Sequence, residues 1–321
     1  MAAFTPQTKV WPSDRALLLV HGVGDYGPGD YDRLKQALEA ALGPAAYAQL
    51  AVYEMFWDPI SDWFKEKLQA REVFTKLLAR LKEFFDASHV GAWAAEGVGD
   101  VIWPVLHGDA RDALRNAVVR QIQQMIKDRP AGVARPDLRL SLMCHSLGCF
   151  HAYEALSAAA TDEDLQLNTS TTGIQFDGVI MVASPVQMIR SVASAMGRTV
   201  PRPGGLFCLK NPALQAPGYT KRGGQFVPYA RRVLSITGDL DPVGGYLWRK
   251  PLGWAYMKIP GTDRFVEPQQ IAALPTEQDL ATMIRAALAG NRRWTVEPNN
   301  PHDWVRYVEH NAGRIREWML S

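Results

Sequence analysis

Cysteine is scarce in this 321-residue chain: Cys144, Cys149 and Cys208 are the full complement. So odd and sparse a count fits reduced thiols in a cytosolic protein and excludes a small disulfide scaffold. Charge of one sign is missing too. Lys plus Arg number 35 and Asp plus Glu 33, a formal net charge of +2, which gives no general attraction to nucleic acid or acidic membranes. No apolar run reaches the roughly 18 residues that a membrane span needs. The first residues, MAAFTPQTKVWPSDR, lack the charged segment followed by an apolar one that marks a secretory signal. Internal repeats, low-complexity tracts and a dividing linker are absent as well. What remains is 47% hydrophobic and 21% charged, ordinary for a globular chain of a length that buries a large core. The expectation is a soluble, cytoplasmic protein, a single domain over residues 1–321, with no nucleic-acid partner and no transmembrane segment.

Short apolar runs alternate with helical patterns. ALLLV (Ala16 to Val20) and LAVYEMF (Leu50 to Phe56) read as strands, and DYDRLKQALEAAL between them repeats apolar residues at helical spacing. LRLSLM (Leu138 to Met143), FDGVIMVA (Phe176 to Ala183) and RRVLSITG (Arg231 to Gly238) read as further buried strands, with TEQDLATMIRAALAG a late helix and RRWTVE a late strand. Strands that alternate with helices predict an α/β fold, a mostly parallel sheet covered on both faces. Two segments interrupt the alternation. Residues 58–110 form a helical insertion in which Trp63, Phe64, Leu68, Phe74, Leu77, Leu78, Leu81, Phe84 and Phe85 share one stripe, either a helix packed on the sheet or a cap over a site. Residues 185–228 are rich in Gly and Pro with little periodicity, which predicts a long loop bordering an active site.

In LRLSLMCHSLGCFHAYEAL the strand ends near Cys144, Ser146 occupies a sharp turn, and a helix follows. Such a turn holds a hydroxyl clear of both elements, while the first N–H groups of the new helix face developing negative charge. The residues two before and two after the serine must be small, because backbone crowds them. Gly148 satisfies this and Cys144 is small. A helix N-cap is the bland alternative for Ser146. Cys144, His145, Cys149 and His151 could be imagined around zinc, but neighbours on a strand end point different ways and the four lack paired spacing. No metal is expected.

The stretch resembles the G-x-S-x-G nucleophile elbow of the α/β-hydrolases, with Cys144 standing where the family usually has glycine. The resemblance spans about Ala16 to the C-terminus and implies an α/β-hydrolase fold whose first two strands are absent, as in compact bacterial lipases and esterases. VHGVGDYGPG after the first strand offers Gly22, Gly24 and Gly27 as a G-x-G-x-x-G array with Glu54 as a ribose ligand. Against that, Pro28 and Gly29 postpone the helix to about Asp30. The resemblance implies instead an oxyanion hole from the backbone N–H groups of Val23 and Leu147, leaving His21 a structural residue.

A serine needs a base, and the base needs a carboxylate. RRVLSITGDLDPVGG offers Asp239 and Asp241 just beyond a strand; either could be a turn-former. The family places its acid three residues after such a glycine, which selects Asp241, and its chain order of Ser, acid, His leaves His302 and His310. His302 lies in a loop before the C-terminal helix and is the candidate base; His310 falls inside that helix, on a solvated face. His89, His107, His145 and His151 have no chemical context in the sequence. The implied catalytic set is Ser146, Asp241 and His302, with no cofactor, acting on a small-molecule or lipid-like acyl ester. Thioesters, amides and acyl transfer use the same triad, and an inactive hydrolase-fold binding module is the non-enzyme alternative, favoured by Cys144 alone. Between Arg190 and Lys250 ten Lys or Arg face only two acids, which suits either an anionic substrate or a solvated loop. The oligomeric state is unspecified.

Overall fold

The computed structural model describes residues 4–22, 26–60, 63, 108–134, 137–158, 176–186, 219–222, 225–228, 230, 233–236 and 302–321. In chain order the elements are β1 (Arg15–Val20), α1 (Asp32–Leu42), α2 (Pro44–Tyr47), β2 (Leu50–Met55), α3 (Gly108–Lys127), β3 (Arg139–His145), α4 (Leu147–Ala158), β4 (Phe176–Val182), β5 (Tyr219–Arg222), β6 (Gln225–Pro228), β7 (Val233–Ile236), α5 (Trp304–His310) and α6 (Ala312–Leu320). Five strands make one parallel sheet in the order β2-β1-β3-β4-β7.

Apolar residues run uninterrupted along β1 because both its faces are covered. Leu17 and Leu19 join one buried cluster, and Ala16, Leu18 and Val20 the other. On one face lie α3 and α4; on the other lie α1, α5 and α6. Helix α1 lays Leu34, Ala37, Leu38, Ala41 and Leu42 on the sheet, the i, i+3, i+4, i+7, i+8 stripe of an amphipathic helix. In α4 the residues from Leu147 to Leu156 are buried all round, as expected of a helix beside a sheet and under another helix. At the edge of the described strands, β2 alternates half-buried and buried residues.

Right-handed crossovers that run in opposite directions lie on opposite faces. From β1 the chain moves outward to β2 by way of α1, and from β3 it moves the other way to β4 by way of α4. The strand order therefore reverses between β1 and β3, and the crevice outside their carboxyl ends is where open α/β sheets collect ligands. Tyr31, at the start of α1, fixes one side of that crevice: its hydroxyl accepts the His21 N–H at 3.1 Å and donates to the Met55 carbonyl at 2.6 Å, tying the ends of β1 and β2.

The segment before β1 runs along β2. Gln7 Oε1 accepts the Glu54 N–H at 2.8 Å, and Trp11 Nε1 donates to the Tyr53 hydroxyl at 2.7 Å. Gln7 is held by the buried Gln121 of α3 through bonds of 2.8 and 3.0 Å.

The α/β class and its parallel sheet stand as the sequence predicts. One stretch differs: within 185–228, expected as loop, Tyr219–Arg222 and Gln225–Pro228 pair as an antiparallel hairpin. Only Gly223 and Gly224 separate the two runs, a spacing that suits a tight β-hairpin. Most of 58–110, the late helix TEQDLATMIRAALAG and the strand RRWTVE lie outside the described residues.

Candidate active site

β3 delivers His145 at its last position, and α4 begins at Leu147, so Ser146 alone makes the turn. Its φ is +51°, the left-handed region that costs an L-residue with a side chain of the order of 1–3 kcal/mol. The turn is held on both sides. The Ser146 N–H donates to the Val182 carbonyl at 3.0 Å, and its own carbonyl accepts the Cys149 N–H at 3.0 Å. Ala183 is the other non-glycine residue with positive φ among the described residues, at +50°, and its N–H donates to the Ile236 carbonyl at 2.8 Å, which joins β4 to β7.

Crowding around the turn explains the small residues. A side-chain carbon added at Gly148 would overlap the His21 carbonyl oxygen and lie 2.7 Å from the Val20 carbonyl oxygen. At Gly22 it would meet Ser146 Cβ at 2.6 Å and His145 Nδ1 at 3.0 Å. The chain leaving β1 thus rests directly against the serine. Cys144 fits two residues before it: the thiol is buried and reaches the Ile180 carbonyl at 3.6 Å, and Cys149 reaches the Val182 carbonyl at the same distance. Burial pushes the Cys144 thiol's pKa up, so it stays a thiol. Among the described residues no group of three or more His, Cys, Asp or Glu is placed to hold a metal ion.

No family model, curated protein or solved structure matches this chain. What the site can do therefore rests on its own atoms.

His302 is brought to the elbow from the far end of the sequence. His145 Nε2 lies 2.6 Å from the His302 backbone oxygen, and the two rings are 4.6 Å apart. Both histidines are fully buried. Directly after His302, Asp303 caps α5: its carboxylate accepts the Val305 N–H at 3.1 Å and pairs with Arg33 of α1 at 3.3 Å. Burial pushes the Asp303 carboxyl up to about 6, against the lowering effects of that cap and of Arg33.

His21 lies in an aromatic cluster, with Nε2 3.6 Å from an Asp58 carboxylate oxygen. Its ring is stacked between Tyr26, at 4.1 Å, and Trp57, at 5.0 Å. Nδ1 lies 2.7 Å from the Gly22 carbonyl, so it carries the proton, while Nε2 faces the Trp57 N–H at 3.4 Å. Burial depresses its pKa to about 3, and His151, packed against Trp57, is likewise held at about 3 by burial. His310 is exposed on α5.

Of the residues expected to act, Ser146, Leu147 and His302 thus gather at the carboxyl end of β3. Leu147 opens α4, where N–H groups lack partners within the helix. Asp241, Asp239 and Val23 lie outside the described residues. The dinucleotide alternative loses its helix: α1 starts at Asp32, five residues beyond Gly27, and Glu54 is engaged by Lys35 at 2.6 Å. The residue that sequence reasoning passed over is His145. Its partner is 157 positions away, and no local pattern signals such a contact.

Proposed function

We propose that this chain is a serine hydrolase of the α/β-hydrolase type, cleaving carboxylic esters through an acyl-enzyme. The observation that carries the reading is the left-handed backbone of Ser146 at the tip of a strand-to-helix turn, a conformation with a cost that makes sense where a hydroxyl must be presented to a substrate. Two further placements support it: His302 beside the turn, and the Gly22 backbone packed against the serine.

In the proposed reaction His302 takes the Ser146 proton as Oγ attacks the ester carbonyl. Negative charge collects on the former carbonyl oxygen, within reach of the Leu147 N–H and, by resemblance, the Val23 N–H. The tetrahedral species collapses, the alcohol leaves with the proton from His302, and water repeats the sequence to release the acid. Asp241 is the proposed partner that holds the His302 tautomer. The chemistry calls for no cofactor. The proposed frame lacks the family's first two strands, carries residues 58–110 as a helical cap, and works in the cytoplasm on a small or lipid-like acyl ester.

A fluorophosphonate probe tests this. Wild-type protein is expected to be labelled covalently, and Ser146→Ala to lose both labelling and roughly 10⁴- to 10⁶-fold in kcat on a p-nitrophenyl ester. Folded wild-type protein that resists the probe and hydrolyses no ester, thioester or amide would point to a binding module.

A further inference from the structure

We infer that His145, the residue before the nucleophile, is a positioning residue for His302; the inference rests on the reading of Ser146 and His302 as nucleophile and base. A base must be held to within a fraction of an ångström of the hydroxyl it deprotonates. Among the described residues, His302 lies just before α5, whose packing helps to place it. Asp303 and Arg33 fix the start of that helix from outside. From inside, the His302 backbone is joined to the residue before the turn by the 2.6 Å bond from His145.

The chemistry of that bond defines the ring. A carbonyl oxygen only accepts, so His145 Nε2 carries the proton. Nδ1 is buried without a hydrogen-bond partner and faces Gly22, where an added carbon would come within 3.0 Å of it. Burial first, and the neighbouring His302 second, press the His145 pKa well below the usual imidazole value, so the ring stays neutral. The Trp304 ring, 5.3 Å away, closes a third side. Among the described residues, its neighbours are His302 just before α5, Trp304 at the start of α5, Gly22 and His21 after β1, and Ser146 itself.

A neutral donor is the fitting choice here. It fixes the base's backbone without placing a charge beside the imidazolium that forms in the reaction. Nucleophile and base support are adjacent in sequence, so any motion of the turn carries both. His302 is thereby kept in register with Ser146.

Two measurements on the full-length protein test this. In ¹⁵N-histidine spectra of the wild type, His145 is expected as the Nε2–H tautomer with a slowly exchanging proton; an Nδ1–H tautomer overturns the inference without any variant. In fluorophosphonate labelling, His145→Phe removes the donor and keeps a ring, and is expected to slow labelling of Ser146 by about 100-fold and lower kcat on a p-nitrophenyl ester while KM holds. His145→Gln, whose amide reaches the Nε2 position, is expected to recover most of that loss. His145→Asn, too short to do so, is expected to match His145→Phe. Equal rates for Gln and Asn, or wild-type labelling by His145→Phe, overturn the inference while leaving the serine-hydrolase reading intact. An inert wild type removes that reading itself, and the positioning role with it.

Discussion

Two glycines are demanded by the turn to different degrees. An added carbon at Gly148 would overlap a backbone oxygen, whereas at Gly22 it would meet Ser146 Cβ at 2.6 Å, with the His145 ring and carbonyl beyond. Gly148→Ala must shift β1 or α4 bodily, and the expected destabilisation is about 3 kcal/mol or more in urea unfolding, at the upper end of overpacking costs. Gly22→Ala is expected to cost less stability, about 1–2 kcal/mol, but to displace the serine, so that fluorophosphonate labelling is lost from protein that is still folded. Tyr31 supports the same corner with its ring, packed against His21, Phe56 and Trp304, and with its hydroxyl. Tyr31→Phe leaves the buried His21 N–H and Met55 carbonyl without that hydroxyl, with an expected loss of about 1–3 kcal/mol by the same measurement.

At the scale of elements, α5 does for His302 what β3 and α4 do for Ser146. The Asp303 cap sets where the helix starts, and the residue before it is thereby placed. A rise in the Asp303 pKa from 3.8 to about 6 means that the folded protein holds this proton more tightly than the unfolded chain does. The group therefore favours folding below about pH 4, and that contribution is lost as pH rises through 6, by about 3 kcal/mol. Asn caps helices as well as Asp but does not titrate. Asp303→Asn is thus expected to gain about 3 kcal/mol relative to wild type between pH 4 and pH 7, read from urea unfolding at both values. How legible these elements are in the sequence follows from where their signals lie. β1, β3 and β4 are apolar runs flanked by turns, and α1 repeats at helical spacing, so periodicity finds them. The hairpin at residues 219–228 escapes because its strands are four residues each and Thr220, Lys221, Arg222 and Gln225 carry no apolar run. Ser146 is legible because its requirements are local, a strand, a small residue and a helix. The cap at Asp303 and the bond from His145 depend on residues far apart in the chain.

For the whole molecule, three buried histidines among the described residues weigh against acid pH. His21 and His151 are held at about 3 and His145 well below its usual value, all chiefly by burial. Folding keeps them neutral, so the stability they contribute is present above about pH 6.5 and is lost as pH falls below it. Near pH 5 the unfolded chain binds about two more protons on His21 and His151, and the folded chain about one more on Asp303. The net of about one corresponds to a slope of about 1.4 kcal/mol per pH unit, to which His145 adds in the same direction. Chemical denaturation between pH 6.5 and 5 is expected to show that fall; a flat profile would mean that the rings take up protons in the folded state. No helix among the described residues is long and apolar enough to cross a membrane.

The strap formed by the residues before β1 bears on how the protein behaves in a crowd. A border strand offers its backbone to any extended chain that drifts past, and two copies that dock this way can seed a growing ribbon. Gln7 occupies one such docking point on β2 with an amide that belongs to the same molecule. Gln121 holds the Gln7 backbone through both its N–H and its carbonyl. Self-association, rather than loss of the sheet, is the hazard this small intramolecular plug forestalls.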